Sequence, residues 1–343
     1  MGYSSGRLYG SIAEFPPNGT PLRYILLIAI MAKPKLDQKR ALTWRVLFTG
    51  ILVIAAAAIL ARHWQTVSNS LNAARSAQLT WFLASIVLMA VTFCIAAAIY
   101  GVLALHTLCY TSTLLVEVAA AFVGRLLPAG LGGLGLNGVY LYRRGHTAAE
   151  ATAVVSVNNL LGMGAHLLLL AGVLAFQAQV VRALFARNHL SLSWQVAGAV
   201  FIVIAGATAV PFVRIRIAGF AKNLLVSVRK VGAPRLLRAL LLAGLLTITY
   251  TTLLLCSARA LGVELGMLQV FIVFSFGTLA GTATPTPGGL VGAEAGLFAG
   301  FVAYGVSDAR AGAAVLLFRL VTYWLPLLPG AFVLLAVKNR HLI

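Results

Sequence analysis

Glu294 and Arg319 are charged side chains of opposite sign in a part of the chain that is otherwise apolar. Glu294 ends the stretch Pro285-Thr286-Pro287-Gly288-Gly289-Leu290-Val291-Gly292-Ala293-Glu294, and Arg319 falls about nine residues into the apolar run 311–337. A carboxylate at membrane depth costs ~2.5–3.5 kcal/mol on insertion scales, so it faces a bundle interior or water. There it can bind a cationic head group or take up a proton. It can also simply accept backbone N–H groups at the start of a helix. A guanidinium as deep as Arg319 cannot easily snorkel to the surface. It can grip a lipid phosphate bidentately, or form an ion pair with Glu294 and hold no ligand. Earlier in the chain, Glu117 and Arg125 precede the stretch Pro128-Ala129-Gly130-Leu131-Gly132-Gly133-Leu134-Gly135-Leu136-Asn137. Eight residues separate the two charges, so they are not neighbours on one helical turn. Arg125 can help hold an anionic head group entering from the cytoplasm, or snorkel to the interface. Gly132, Gly133, Gly288 and Gly289 place backbone N–H groups at the starts of half-helices, where phosphate is attracted; small residues also serve close helix packing. Asn137 and Asn159 complete the set of candidate substrate-binding residues. Asn158 and His166 share the span with Asn159 and can line the same path, although such residues also serve as hydrogen-bond glue between helices.

Other chemistries find no support in the sequence. It has no nucleophile–base–orienter set, and its acids are too few for the paired carboxylates of glycosyl transfer or hydrolysis. Cys94, Cys109 and Cys256 lie in apolar stretches without metal-ligand or disulfide spacing. A binding protein with no catalytic residues, metal or cofactor is therefore expected, rather than an enzyme. The 343 residues are 61% hydrophobic and only 10% charged, with mean hydropathy +0.96. Such a composition excludes a soluble domain and identifies an all-α polytopic membrane protein. Lys and Arg number 26 against seven acids. These charges fall in loops between spans, so they read as topology signals and contacts to anionic lipid, not as a nucleic-acid surface.

The elements that must position these residues follow from the apolar runs. Full spans are expected at 44–61, 81–105, 148–176, 194–212, 240–260 and 311–337, six in all. Segments 114–142 and 268–304 each hold a proline-glycine break and a second arm too short to cross a bilayer, and read as re-entrant broken-helix hairpins; two short or tilted spans would give the same topology. A basic loop covers 212–238. Residues 1–41 form a flexible basic segment whose apolar run, 24–32, is too short to span; translation from Met1 or from Met31 fits equally. Residues 145–176 and 305–336 align without gaps, pairing Gly145 with Gly305, Ala151 with Ala311, Leu160 with Leu320 and Ala171 with Ala331. Placing the N-terminus in the cytoplasm puts sixteen basic residues on that side and six on the other. Both termini are then cytoplasmic, and the half-repeats, about 42–178 and 193–338, run in opposite senses as an inverted repeat. Paired interrupted segments of this kind mark a carrier's binding site.

The Pro-x-Pro-Gly-Gly-Leu-x-x-x-Glu motif resembles the lysylphosphatidylglycerol synthase transmembrane, or flippase-like, family. So do Phe318-Arg319-Leu320-Val321-Thr322-Tyr323-Trp324-Leu325-Pro326 and the earlier Gly-Gly-Leu-Gly-Leu-Asn with its following Asn-Asn span. The resemblance covers roughly 42–338, the membrane half without the aminoacyl-transferase domain of the best-known members. It implies a lipid transporter of the cytoplasmic membrane that moves an anionic phospholipid or a polyprenyl-phosphate-linked glycolipid, with membrane lipids as partners. Two other functions are compatible with the sequence: an integral membrane transferase using a lipid-phosphate donor, and an accessory subunit of a cell-envelope lipid synthase. The latter would add a lipid-modifying or glycosyl-transferring enzyme as partner. The sequence does not specify the lipid, the direction, the energy source or the oligomeric state.

Overall fold

The computed structural model describes residues 74–126, 131–176, 231–284, 286 and 288–343, with positions 68, 69 and 72. The expected spans at 44–61 and 194–212, the segment 1–41, most of the basic loop, and Pro128, Pro285 and Pro287 lie outside the described residues. The described chain is helical and contains no strand: α1 (Leu79–Leu103), α2 (Tyr110–Leu126), α3 (Leu131–Arg143), α4 (Ala148–Phe176), α5 (Ala233–Arg259), α6 (Met267–Ala283), α7 (Gly292–Ala303) and α8 (Asp308–Asn339). Among the described residues, α1, α4, α5 and α8 are long and apolar enough to cross a membrane. At about 1.5 Å per residue, the 25 residues of α1 reach farther than the ~30 Å hydrocarbon layer. Leu79, Val87, Leu279, Phe332 and Leu335 stand exposed on the outside of the bundle. An apolar exterior suits a lipid surround better than water.

One boundary corrects the sequence expectation. Helix α5 starts at Ala233, not near 240, and carries Arg235 and Arg238 within it. Gly232 takes φ +83° just before it and Pro234 occupies its first turn, where the missing proline N–H leaves no hydrogen bond unmade. The long arginine stems can lie along the helix while their heads stay at the boundary, so charge did not mark the helix end.

Two pairs of short helices lie over the segments 114–142 and 268–304. Helices α2 and α3 pack on each other, as do α6 and α7. Glycine allows both approaches. A Cβ on Gly132 would lie 2.2 Å from the Val123 carbonyl oxygen, and one on Gly292 would lie 1.9 Å from Thr284 Oγ1. Hairpin arms this close exclude any larger side chain at the crossing.

Helices α1 and α5 run antiparallel, because the Gln78 amide at the head of α1 donates to the Ala260 carbonyl past the end of α5 at 2.8 Å. The second arm of α8 lies on α2, with Gly330 against Phe122 and Val118, while α4 touches α6 through His166 against Phe271 and Phe274. Each hairpin thus meets a long helix of the other half. The turns after the hairpins are built alike. Gly145 and Gly305 take φ +92° and +80°. The next amides, of His146 and Val306, donate to Leu141 and Phe301 carbonyls at 3.2 Å each. Apolar clusters fill the ends of the bundle: Leu253, Val273, Leu297, Phe301 and Val315 in one, Ile99, Leu103, Leu141, Val154 and Ala243 in another.

Helix α8 is interrupted. A π turn occupies Leu320–Trp324, with the Leu325 amide donating five residues back to Leu320 at 2.8 Å. Pro326 explains it. Proline has no N–H to offer the carbonyl of Thr322 four residues earlier, and its ring crowds that carbonyl; an added residue in the turn relieves the conflict.

Candidate functional site

Helix α7 begins after a tight turn. Gly288 and Gly289 take φ +61° and +65°, and Val291 takes φ +72°, a left-handed conformation that strains a β-branched residue. The turn places Glu294 in the first turn of α7, where the helix dipole favours a carboxylate. Arg319, at the end of the first arm of α8, reaches it: Nε donates to Glu294 Oε1 at 2.6 Å, and Nη2 donates to the Gly288 carbonyl at 3.2 Å. The Glu294 Oε2 atom is sealed from solvent without a hydrogen-bond partner. The Arg319 guanidinium lies over the Tyr323 ring, 4.8 Å from its centroid. A Cβ on Gly288 would lie 2.3 Å from Cε2 of the same ring, so only glycine allows the turn and the ring to meet.

Arg125 comes to this place from the other half of the chain. It projects from the last turn of α2, donates to Ala121 of its own helix and to the Thr322 carbonyl, and lies 5.7 Å from the Tyr323 centroid. Thr322 is the residue whose carbonyl lost its helical partner to Pro326, and the guanidinium fills that vacancy. Arg319 does the equivalent for the Gly288 carbonyl at the hairpin turn. Tyr323 therefore has two cations on its ring, and the two arginines are close enough for electrostatic coupling. Two guanidiniums face one carboxylate, so the group carries a net positive charge. Each guanidinium has five N–H donors, and the bonds described engage two of them in each case.

The first-half residues form a separate group. Asn137 of α3 is buried, with its side chain against the Glu117 carboxyl of α2. Tyr100 of α1, buried as well, has its hydroxyl among Asn158, Asn137 and Glu117. Glu117 Oε1 is sealed from solvent and has no hydrogen-bond partner. Gly133 packs on the Ala120 carbonyl, as Gly132 does on Val123, and Gly289 approaches Gly281 at the hairpin turn. Asn159 is exposed, and its amide donates to Val155 of its own helix at 2.8 Å. Of the candidates from sequence, the structure therefore joins Glu294, Arg319, Gly288 and Arg125. It places Asn137 in the second group and Asn159 in neither.

Sequence reasoning passed over Tyr323 and Tyr100. Tyr323 had a legible signal, since it lies three residues before a proline inside an apolar span. A recess of about 690 Å³ opens at one end of the bundle, between residues 262–265 and 305–310. Arg310 lines it, nine residues before Arg319 along α8 and so ~13 Å away.

No match to a curated protein was found. Residues 26–330 match the family described as Lysylphosphatidylglycerol synthase TM region. With four long apolar helices among the described residues, the chain is a multi-pass membrane protein that belongs to the lysylphosphatidylglycerol synthase transmembrane-region family.

Proposed function

We propose that the protein is a lipid carrier that moves an anionic phospholipid, or a polyprenyl-phosphate-linked glycolipid, across the cytoplasmic membrane. The observation that carries this reading is the convergence of Arg125 and Arg319 on Tyr323, with Glu294 the one carboxylate paired to them among the described residues. A net positive group with spare guanidinium donors matches a phosphodiester. The α2–α3 and α6–α7 pairs act as re-entrant hairpins whose turns approach each other inside the bilayer, and the acyl tails stay in lipid. Support for an inverted repeat comes from the antiparallel α1 and α5 and from the like-built turns at Gly145 and Gly305. Alternating access follows if one half rocks against the other around the arginine group. Both termini are cytoplasmic in this reading, on the bias of the basic residues. The protein performs transport, not group transfer, and its partners are membrane lipids.

The test is translocation in proteoliposomes. Fluorescent phosphatidylglycerol and fluorescent phosphatidylcholine are placed in both leaflets, and dithionite bleaches the outer one. Protein-dependent bleaching of the second pool, faster for phosphatidylglycerol, is the expected result. Equal rates with and without protein would overturn the carrier reading.

A further inference from the structure

The arginine group leaves Glu117 unused. Glu117 lies in the middle of α2, eight residues before Arg125, so the two are ~12 Å apart on one rigid helix. Its Oε1 is cut off from solvent and has no hydrogen-bond partner. Helices α1, α3 and the second arm of α8 pack around α2. Their titratable and charged groups are Cys94 and Tyr100 from α1, Tyr140, Tyr142 and Arg143 from α3, and Lys338 near the end of α8. None forms an ion pair with Glu117. Tyr140 is engaged with Thr113 at 3.0 Å, Arg143 lies in the last turn of α3, and Arg125 bonds to Ala121 and Thr322. Among the described residues, the groups that face the carboxyl are neutral: the Tyr100 hydroxyl and the Asn137 amide. Glu294, by contrast, has its arginine at 2.6 Å.

A carboxylate among neutral groups, with one oxygen cut off from water, is less stable than the neutral acid. The neutral acid carries a proton that it can give up once water reaches it. We propose that Glu117 is the proton site of the carrier: it holds a proton in the described state, releases it to water when the first half opens, and takes one up again to close. This rests on the lipid-carrier reading above. No bond other than O–H breaks or forms, and the proton passes between the carboxyl and water. The coupling runs along α2, because the same helix presents Arg125 to the anionic group. A change in the setting of α2 at one end changes it at the other.

Two measurements test this. Infrared difference spectra of the purified protein between acid and alkaline pH report protonated carboxyls directly and need no lipid movement. The carboxylic C=O band is expected in wild type, shifted in Glu117→Asp and missing in Glu117→Gln. An unchanged band in Glu117→Gln would overturn the proposal. The second measurement imposes a pH gradient on the proteoliposomes loaded with fluorescent phosphatidylglycerol. Wild type is expected to change its rate several-fold with the gradient, Glu117→Asp to keep a response, and Glu117→Gln to show none. Wild-type flipping indifferent to the gradient would overturn the coupling, whereas absence of wild-type flipping alongside a Glu117 band would overturn the carrier reading alone. Glutamine mimics the neutral acid, so the variant is expected to fold, and its melting curve checks this.

Discussion

The two helix pairs end in like turns and carry different electrostatics. In α6–α7 the carboxylate Glu294 is met by Arg319, and Arg125 joins them from across the molecule. In α2–α3 the carboxyl Glu117 meets, among the described residues, Asn137 of α3 and Tyr100 of α1. The turns after the two pairs are alike, with left-handed Gly145 and Gly305, but Gly132 and Gly133 lie inside α3 while Gly288 and Gly289 take positive φ before α7, and the side chains differ as well. In the proposed reading one pair serves an anion and the other forms a neutral polar pocket. Helix α2 belongs to both, with Glu117 at its middle and Arg125 at its end. In that reading, two helix pairs with like turns take different work from their different charge.

The largest effect that sharpens this comparison is expected at the glycines. Gly288→Ala puts a methyl into the Tyr323 ring at positive φ, and should cost about 3 kcal/mol. Gly145→Ala, also at positive φ but with open space around it, should cost about 1 kcal/mol. Thermal melts in detergent give the ordering, and a reversed order would break the account of the second hairpin.

The ion pair comes next. Arg319→Leu leaves Glu294 beside an apolar side chain and should destabilise by about 2–3 kcal/mol. Adding Glu294→Gln should recover much of that loss without recovering lipid movement. A double variant that flips at the wild-type rate would reduce the pair to a structural clamp.

Arg125→Lys keeps the charge but loses the planar fork that reaches both Ala121 and Thr322. A loss of about 1–2 kcal/mol is expected, with slower translocation. A fully wild-type melt would show that the carbonyl freed by Pro326 needs no partner.

The smallest effect concerns the turns. His146 is buried between α3 and α4, where its Nε2 accepts from the Leu105 and His106 amides at 3.0 and 3.3 Å. The Nδ1–H therefore donates to the Leu141 carbonyl at 3.0 Å, and the ring is neutral. Burial holds its pKa below the usual imidazole value, the Leu141 bond opposes this and His106 adds to it. Because the folded pKa is the lower one, the unfolded chain binds more protons as pH falls below about 6.5. The stability from this clamp is thus full above that pH and lost as pH falls through the folded value. The melting midpoint should drop between pH 8 and pH 5 in wild type, and less in His146→Asn. The second half has Val306 in the same position and contributes no such dependence.

How much of this was legible depended on sequence distance. The hairpins were, because proline and glycine interrupt apolar runs at 128–133 and 285–289. So was the pairing of Glu294 with Arg319, since two opposite charges in apolar segments of one half have few other places to go. The approach of Arg125 to Thr322 was not, because it joins residues 197 apart in the chain and no local pattern encodes it. The start of α5 was missed because Arg235 and Arg238 look like loop residues, yet their apolar stems tolerate a helix. The Tyr100–Glu117–Asn137 group was legible only in part: Glu117 and Asn137 stand out in apolar segments, Tyr100 does not, and only packing brings the three together.

The central claim is that the paired arginines hold an anionic lipid head group. Native mass spectrometry of the protein released from mixed micelles of phosphatidylglycerol and phosphatidylcholine tests it most directly. The account predicts that wild type retains phosphatidylglycerol in preference to phosphatidylcholine, and that Arg125→Leu/Arg319→Leu loses the preference while staying folded. Equal retention of both lipids by wild type, or an undiminished preference in the double variant, would contradict it.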